Sequence, residues 1–258
     1  KQVNLFQNTP LETMKTKVNN MTEYKERYDG RDFDETRPIE AKAGVIPNAD
    51  GSAYFKIGDT VAYAAVYGPR EMYPRRLSDP KKGVLRVNYN MMAFAGPGER
   101  GRPGPNRRAK EISMVSEKAL LPAVDVSKYP NSVIDVFLEL PQTDAGSRCA
   151  GICAASIALA DAGILMKDMV PAIGVGMVGD TAVVDLSYHE EQPEGMEAVD
   201  IPIALIPSTG EITLLQLDGM IEPETLKKVI GKAQKACEKI AETQRAALHE
   251  KYKEDAEE

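Results

Sequence analysis

The sequence predicts an α+β fold made of two related halves. Two observations carry this expectation. In each half, short β-rich runs lead into a helix. Gly-Asp-Thr followed by an apolar strand occurs twice, in KIGDTVAYAAVYG at 56–68 and in MVGDTAVVDLSYH at 177–189. The expected organisation is an extension over residues 1–25, a first half over 26–166 and a second half with a C-terminal helix over 167–258.

Residues 1–25 show weak periodicity, which predicts a segment partly ordered at best. SAYFKIG (52–58), TVAYAAVYG (60–68) and VLRVNYNMM (84–92) then read as strands of an antiparallel meander, punctuated by Gly51, Gly58 and Gly68-Pro69. GPGERGRPGP (96–105) is a loop, and Pro105 suits the first position of the next helix, where its missing N–H is no loss. That helix carries Ile112, Val115, Ala119 and Leu120 on one face. SVIDVFLEL (132–140) is a strand apolar nearly throughout, so both its faces are expected to be covered. CAGICAASIALADAG (149–163) is a core helix of residues small enough to lie close against a sheet, stopped by Gly163. The second half repeats the plan with strands at 169–178, 181–188, 200–207 and 211–219. A helix opened by Pro223 follows, with Leu226, Val229, Ile230, Ala233, Cys237 and Ile240 at helical spacing.

Composition narrows the function. No apolar run reaches the roughly 18 residues of a membrane-spanning helix, and the first 20 residues lack a secretory apolar block, so the expectation is a soluble, cytoplasmic protein. Cys149, Cys153 and Cys237 make no disulfide framework and read as small buried thiols. The net charge of −7 argues against general affinity for nucleic acid. Between Arg70 and Lys110, however, eleven basic residues face three acids, a local charge of +8 that suits a polyanion at one place.

Several motifs are excluded by context. GVGMVG satisfies G-x-G-x-x-G at Gly174, Gly176 and Gly179, but a strand rather than a helix follows it, so no pyrophosphate would meet a helix N-terminus. A P-loop motif is absent, and His189 and His249 are too few for histidine-based zinc chemistry. TDAGSR (143–148) is different. With Asp144 or its neighbour capping the core helix, the N–H groups of Gly146, Ser147 and Arg148 stand at the positive end of the helix dipole. Gly146 allows close approach, Ser147 offers a hydroxyl and Arg148 a bidentate fork, which together suit an anion such as phosphate. The same letters also fit a plain capped helix with a surface arginine. Asp185, on an apolar strand, precedes Glu190, Glu191, Glu194 and Glu197, a carboxylate set suited to Mg²⁺ or to moving a proton, or simply a charged loop.

These features occur in an ordered series: YDGRDFDETRPIEAKAGV (28–45), ADGSAYFKIGDTVAYAAVYGPRE (49–71), NRRAKEISMVSEKAL (106–120), IDVFLELPQTDAGSRCAGICAASIALADAG (134–163), DMVPAIGVGMVGDTAVVDLSYHEE (168–191) and DIPIALIPSTGEITLLQLDG (200–219). The series resembles the RNase PH family of phosphorolytic exoribonucleases, and within it the catalytic ring subunits of the archaeal exosome. The resemblance implies two similar α+β halves of the ribosomal protein S5 domain 2-like type, with mixed or antiparallel sheets packed by helices. It implies phosphate-dependent 3′-to-5′ degradation of single-stranded RNA to nucleoside diphosphates, reversible into tail synthesis. Inorganic phosphate would be co-substrate and Mg²⁺ or Mn²⁺ the metal. The implied partners are a homologous non-catalytic subunit in a trimer-of-dimers hexameric ring and RNA-binding cap subunits.

Carried over, Gly146, Ser147 and Arg148 bind phosphate, and Arg107 and Arg108 hold the last RNA phosphates. Arg70, Arg75 and Arg76 lie near the channel entrance. Asp185 is the first catalytic carboxylate and metal ligand. The second falls six residues on at Glu191, where the family has aspartate, and the following loop is about three residues longer than usual before Asp200, so either Glu191 reaches further or Glu190 contributes. Two other readings stay open: a ring subunit that binds RNA without catalysis, and a free-standing homohexameric RNase PH.

Overall fold

The computed structural model describes residues 24–97, 106–193 and 195–257. Most of the predicted extension, the loop at 98–105 with Arg100, Arg102 and Pro105, and Glu194 fall outside these described residues.

Strands β1 (Ile39–Ala43), β2 (Gly51–Ile57) and β3 (Thr60–Glu71) form an antiparallel meander. Strand β4 (Val84–Met91) does not continue it, contrary to expectation. It lies at the sheet edge, parallel to β5 (Ser132–Gln142), in the order β1-β2-β3-β5-β4. The reason is helix α1 (Arg107–Leu120), which lies between β4 and β5 in sequence and supplies the crossover that a parallel pair needs. The strand pattern alone carries no information about which strand is the neighbour. Asn106 caps α1, its side chain accepting from the Ala109 N–H at 2.7 Å. Asn106→Ala is expected to lower stability by about 1 kcal/mol, read as a shift in the urea midpoint at unchanged slope.

Helix α2 (Ser147–Asp161) is the central element. Thirteen of its fifteen residues are buried, as suits a helix apolar on every side. It packs on β2, β3 and β5 of the first sheet and on β6 (Ala172–Val178) and β8 (Ala198–Ile206) of the second. Close approach is literal at Gly51, where an added Cβ would stand 2.4 Å from the Ala158 carbonyl oxygen. The second sheet has the order β7-β6-β8-β9, with β7 at Thr181–Val184 and β9 at Glu211–Leu215, antiparallel throughout. Both Gly-Asp turns sit at matching places, between β2 and β3 and between β6 and β7. Helix α4 (Pro223–Glu257) packs across β1 and β6 and closes one continuous core over both sheets.

The strand predicted over 181–188 stops at Val184. Asp185 takes a left-handed φ of 57°, and a short helix α3 (Tyr188–Glu191) begins at once. Gly174 and Gly176 lie within β6, paired with Pro202 and Asp200 of β8, in agreement with the exclusion of a dinucleotide fingerprint. All three cysteines are free and buried. Among the described residues, no helix is long and apolar enough to cross a membrane.

Candidate active site

Where β5 ends, the chain turns through Thr143 to Gly146 and enters α2. Ala145 and Gly146 are both left-handed, at φ 59° and 62°, so the second of two such residues falls on glycine, which adopts this region without a Cβ clash. Thr60 fixes the turn: its hydroxyl donates to the Ala145 carbonyl at 2.7 Å and accepts from the Asp144 N–H at 2.8 Å. Gly146 is the N-cap and no side chain caps the helix. Asp144 therefore does not play the capping role expected of it. Its carboxylate instead accepts from the Tyr188 N–H at 3.1 Å and from Arg37 at 3.1 Å, tying the turn to α3. The uncapped first turn leaves backbone N–H groups at the positive helix end facing a cleft of about 410 Å³.

Around that cleft stand Arg108, Gly146, Ser147, Arg148, Glu191 and Asp200. The anion-binding set and one of the predicted carboxylates thus meet, although Arg108 comes from α1, the glycine-serine-arginine set from α2, Glu191 from α3 and Asp200 from β8. Burial pushes the Glu191 carboxyl up to about 7, with the Asp200 charge adding and the Gly146 N–H opposing. Asp200 is also raised, first by burial and then by Asp218, against the pull of Arg148 and Arg108. With burial raising both carboxyls and the Asp200 charge raising Glu191 further, the pair can keep a proton on Glu191 near neutral pH, or hold a cation in its place. Among the described residues no cluster of three or more His, Cys, Asp or Glu side chains forms a metal cage.

Asp185 does not face the cleft. Asp185 is 3% exposed, and both its oxygens are held by Arg37: Nη2 at 2.7 Å to Oδ1, Nε at 2.9 Å and the backbone N–H at 2.7 Å to Oδ2. Arg31 approaches the same carboxylate at 3.4 Å. A carboxylate saturated by its own chain and outside the cleft lining is a structural partner, so the assignment of Asp185 to catalysis and metal binding is corrected. Burial alone would lower the Arg37 guanidinium, but Asp185 and then Asp144 raise it. Because Arg37 also bonds the Asp144 carbonyl, one side chain fixes the 143–146 turn against the segment that leads into Glu191.

The alternative carboxylate Glu190 is excluded in the same way. It is 1% exposed and accepts a bidentate pair from Arg27, both bonds at 2.8 Å, a hydroxyl from Tyr24 and the Ser187 N–H. Burial pushes it up, but the Arg27 bond and the Ser187 N–H hold it below the usual range. Glu191, one residue on, turns to the cleft.

Arg107 is exposed at the start of α1, beside the cleft residue Arg108. Arg70, Arg75 and Arg76 are exposed and line no part of the cleft. Arg70 pairs in register with Val133, near the start of β5, whereas the turn follows the other end of that strand, roughly 30 Å away by strand rise. Arg70 bonds Asp50 and lies over the Tyr67 ring, and Arg75 bonds Glu71.

Residue order did not single out Asp200, Arg37, Gln216 or Glu111. Asp200 alone left a trace, an acid opening an otherwise apolar strand opposite a glycine of β6.

The two halves, joined by a helix whose bare tip faces a carboxylate pair, place the molecule in an enzyme class. The chain belongs to the RNase PH 3′ exoribonuclease family: domain 1 of that family matches residues 35–165 and domain 2 matches residues 168–236. Among curated relatives it is 49% identical over 226 residues to the exosome complex component Rrp41 of Methanopyrus kandleri, covering 88% of this chain and 93% of that one. It is 47% identical to Rrp41 of Nitrosopumilus maritimus, covering 90% and 93%. Similar solved structures are rice Rrp46 (TM-score 0.77, 26% identity, 86% of this chain and 100% of that one) and the Archaeoglobus fulgidus exosome with RNA bound to the active site (TM-score 0.72, 25% identity, 90% and 97%).

Proposed function

We propose that the chain is the catalytic subunit of an exosome and removes nucleotides from the 3′ end of single-stranded RNA by phosphorolysis in the cytoplasm. The observation that carries this reading is the single cleft in which an uncapped helix tip and Arg148 face Glu191 and Asp200. A hydrolase needs only a place for water, whereas this cleft is built for a free anion beside the RNA backbone.

In this reading, the first-turn N–H groups of α2, Ser147 and Arg148 hold inorganic phosphate, while Arg108 and, at the rim, Arg107 hold the terminal RNA phosphates. A phosphate oxygen attacks the last phosphodiester in line, the bond from phosphorus to the 3′ oxygen breaks, and a nucleoside 5′-diphosphate leaves. The shortened RNA takes its 3′ proton from Glu191, which is half protonated near neutrality at about 7. Asp200 keeps that proton on Glu191 by its charge. Mg²⁺ or Mn²⁺ would be held by Asp200, with Glu191 joining when it is unprotonated, and would supply neutralisation of charge on the reacting phosphates. Positioning and charge neutralisation supply most of the acceleration. Arg70, Arg75 and Arg76 would meet RNA well upstream of the scissile bond. The ring partners are a homologous non-catalytic subunit, alternating in a trimer of dimers, and RNA-binding caps.

The test is product identity. RNA with ³²P-labelled phosphate and Mg²⁺ should yield labelled nucleoside diphosphates, no product without phosphate, and tail synthesis when diphosphates are in excess. Release of nucleoside monophosphates at equal rate without phosphate would overturn the reading.

A further inference from the structure

Resting on the reading of the cleft as a phosphate site, we infer that Gln216 is a positioning residue that sets the phosphate affinity without touching phosphate. Its side chain stands behind Arg148. The Gln216 amide oxygen accepts from Arg148 Nη1, and its Nε2 donates to Glu111 Oε1 at 2.9 Å. Glu111 Oε1 is itself 3.8 Å from Arg148 Nη1. These three residues come from three elements: Arg148 from the first turn of α2, Glu111 from α1 one turn beyond Arg107 and Arg108, and Gln216 from the residue after β9. The Gln216 backbone is fixed in turn, because its N–H donates to the Pro202 carbonyl of β8 at 3.1 Å.

A guanidinium has five N–H donors, and an unrestrained arginine loses rotamer freedom when it grips an anion. Gln216 engages Nη1 before any ligand arrives. Among the described residues no other acceptor hydrogen-bonds Arg148, so its Nε and Nη2 donors stay available on a side chain whose direction is already chosen. An amide suits this place better than a carboxylate would. It accepts from Arg148 without cancelling the positive charge that the anion needs, and its own N–H₂ takes up the Glu111 charge. Glu111 acts through Gln216, holding the amide in the flip that presents oxygen to Arg148. Because Glu111 shares α1 with Arg107 and Arg108, the same chain of bonds sets the distance between the phosphate fork and the arginines at the RNA end.

The test measures steady-state phosphorolysis by the full-length chain in its assembled complex, with phosphate and RNA varied separately. Gln216→Met keeps length and apolar volume but has no acceptor, and should raise KM for phosphate about tenfold. KM for RNA and kcat at saturating phosphate should change less than twofold. Gln216→Glu places a second carboxylate against Arg148 and should raise the phosphate KM further than Met does, although it can still accept a hydrogen bond. Arg148→Ala is the reference and should raise it more than either. If Arg148→Ala raises the phosphate KM and both Gln216 variants leave it unchanged, Gln216 does not position the fork. If the Gln216 variants raise both KM values or lower saturated kcat equally, the residue is merely structural and the inference falls. An unchanged phosphate KM in Arg148→Ala would instead overturn the phosphate site itself, and this inference with it.

Discussion

Asp200→Asn and Glu191→Gln each leave a folded chain and lower kcat by about 10²–10⁴-fold, the range expected when a positioned acid or its electrostatic partner is removed. The two differ in their dependence on pH. Glu191 has a folded value near 7, above its ordinary 4.5, so in the native chain it keeps a proton that the unfolded chain has already released. Stability linked to this group is therefore lost as pH rises from about 4.5 to 7, and it is unaffected below that window. Glu191→Gln removes this penalty. The variant should equal the parent near pH 4 and exceed it at pH 8 by up to ~3 kcal/mol in urea unfolding. In Asp200→Asn the Asp200 charge that helps to raise Glu191 is gone, so Glu191 falls toward the ordinary carboxylate range and the basic limb of the pH profile, where the proton donor is lost, moves to lower pH. Divalent metal and proton compete for this pair, so metal affinity should strengthen as pH rises through 7 with release of a proton, seen by titration calorimetry in two buffers of different ionisation enthalpy. Wild-type turnover in one of these variants would remove that carboxyl from the chemistry.

Asp185→Ala has the opposite signature. It removes the main partner of a guanidinium that is almost wholly buried, leaving it only the Asp144 carboxylate, and breaking such a buried pair costs up to about 3–5 kcal/mol. For a chain of this size that is a fall on the order of 10 °C in Tm. Asp185→Asn keeps shape and tolerance of the left-handed backbone while losing charge, and should fall between the parent and Ala. Activity per folded molecule, measured well below the new Tm, should decline far less than in Asp200→Asn. A stable, inactive Asp185→Ala protein would restore Asp185 to the reaction.

The contrast between Asp185 and Asp200 shows how much of the site the residue order carries. Gly146, Ser147 and Arg148 are contiguous, and the chemistry of a helix N-terminus is local, so the anion site is legible from six letters. The family resemblance picked out Glu191, but Glu190 could not be rejected. Adjacent carboxylates on a short helix differ only in what faces them, and the residue facing Glu190 is Arg27, 163 positions away. Asp185 looked catalytic because an acid on an apolar strand has no local partner. Its partner, Arg37, is 148 residues distant. Asp200 looked like a strand opening until β8 paired with β6 and brought it to the α2 tip.

By itself, the sequence determined the periodic elements, the repeated Gly-Asp turns, the small-residue core helix and the phosphate-suited turn before it. Each depends on interactions within a few residues, through hydrogen-bond period, turn conformation and the helix dipole. Only the tertiary structure decided that β4 runs parallel to β5, that Arg37 and Arg27 consume Asp185 and Glu190, and that Glu191 and Asp200 complete the cleft with Gln216 behind Arg148. Those outcomes depend on which distant charges end up buried together, and the cost of leaving a buried charge unpaired is a property of the packed chain.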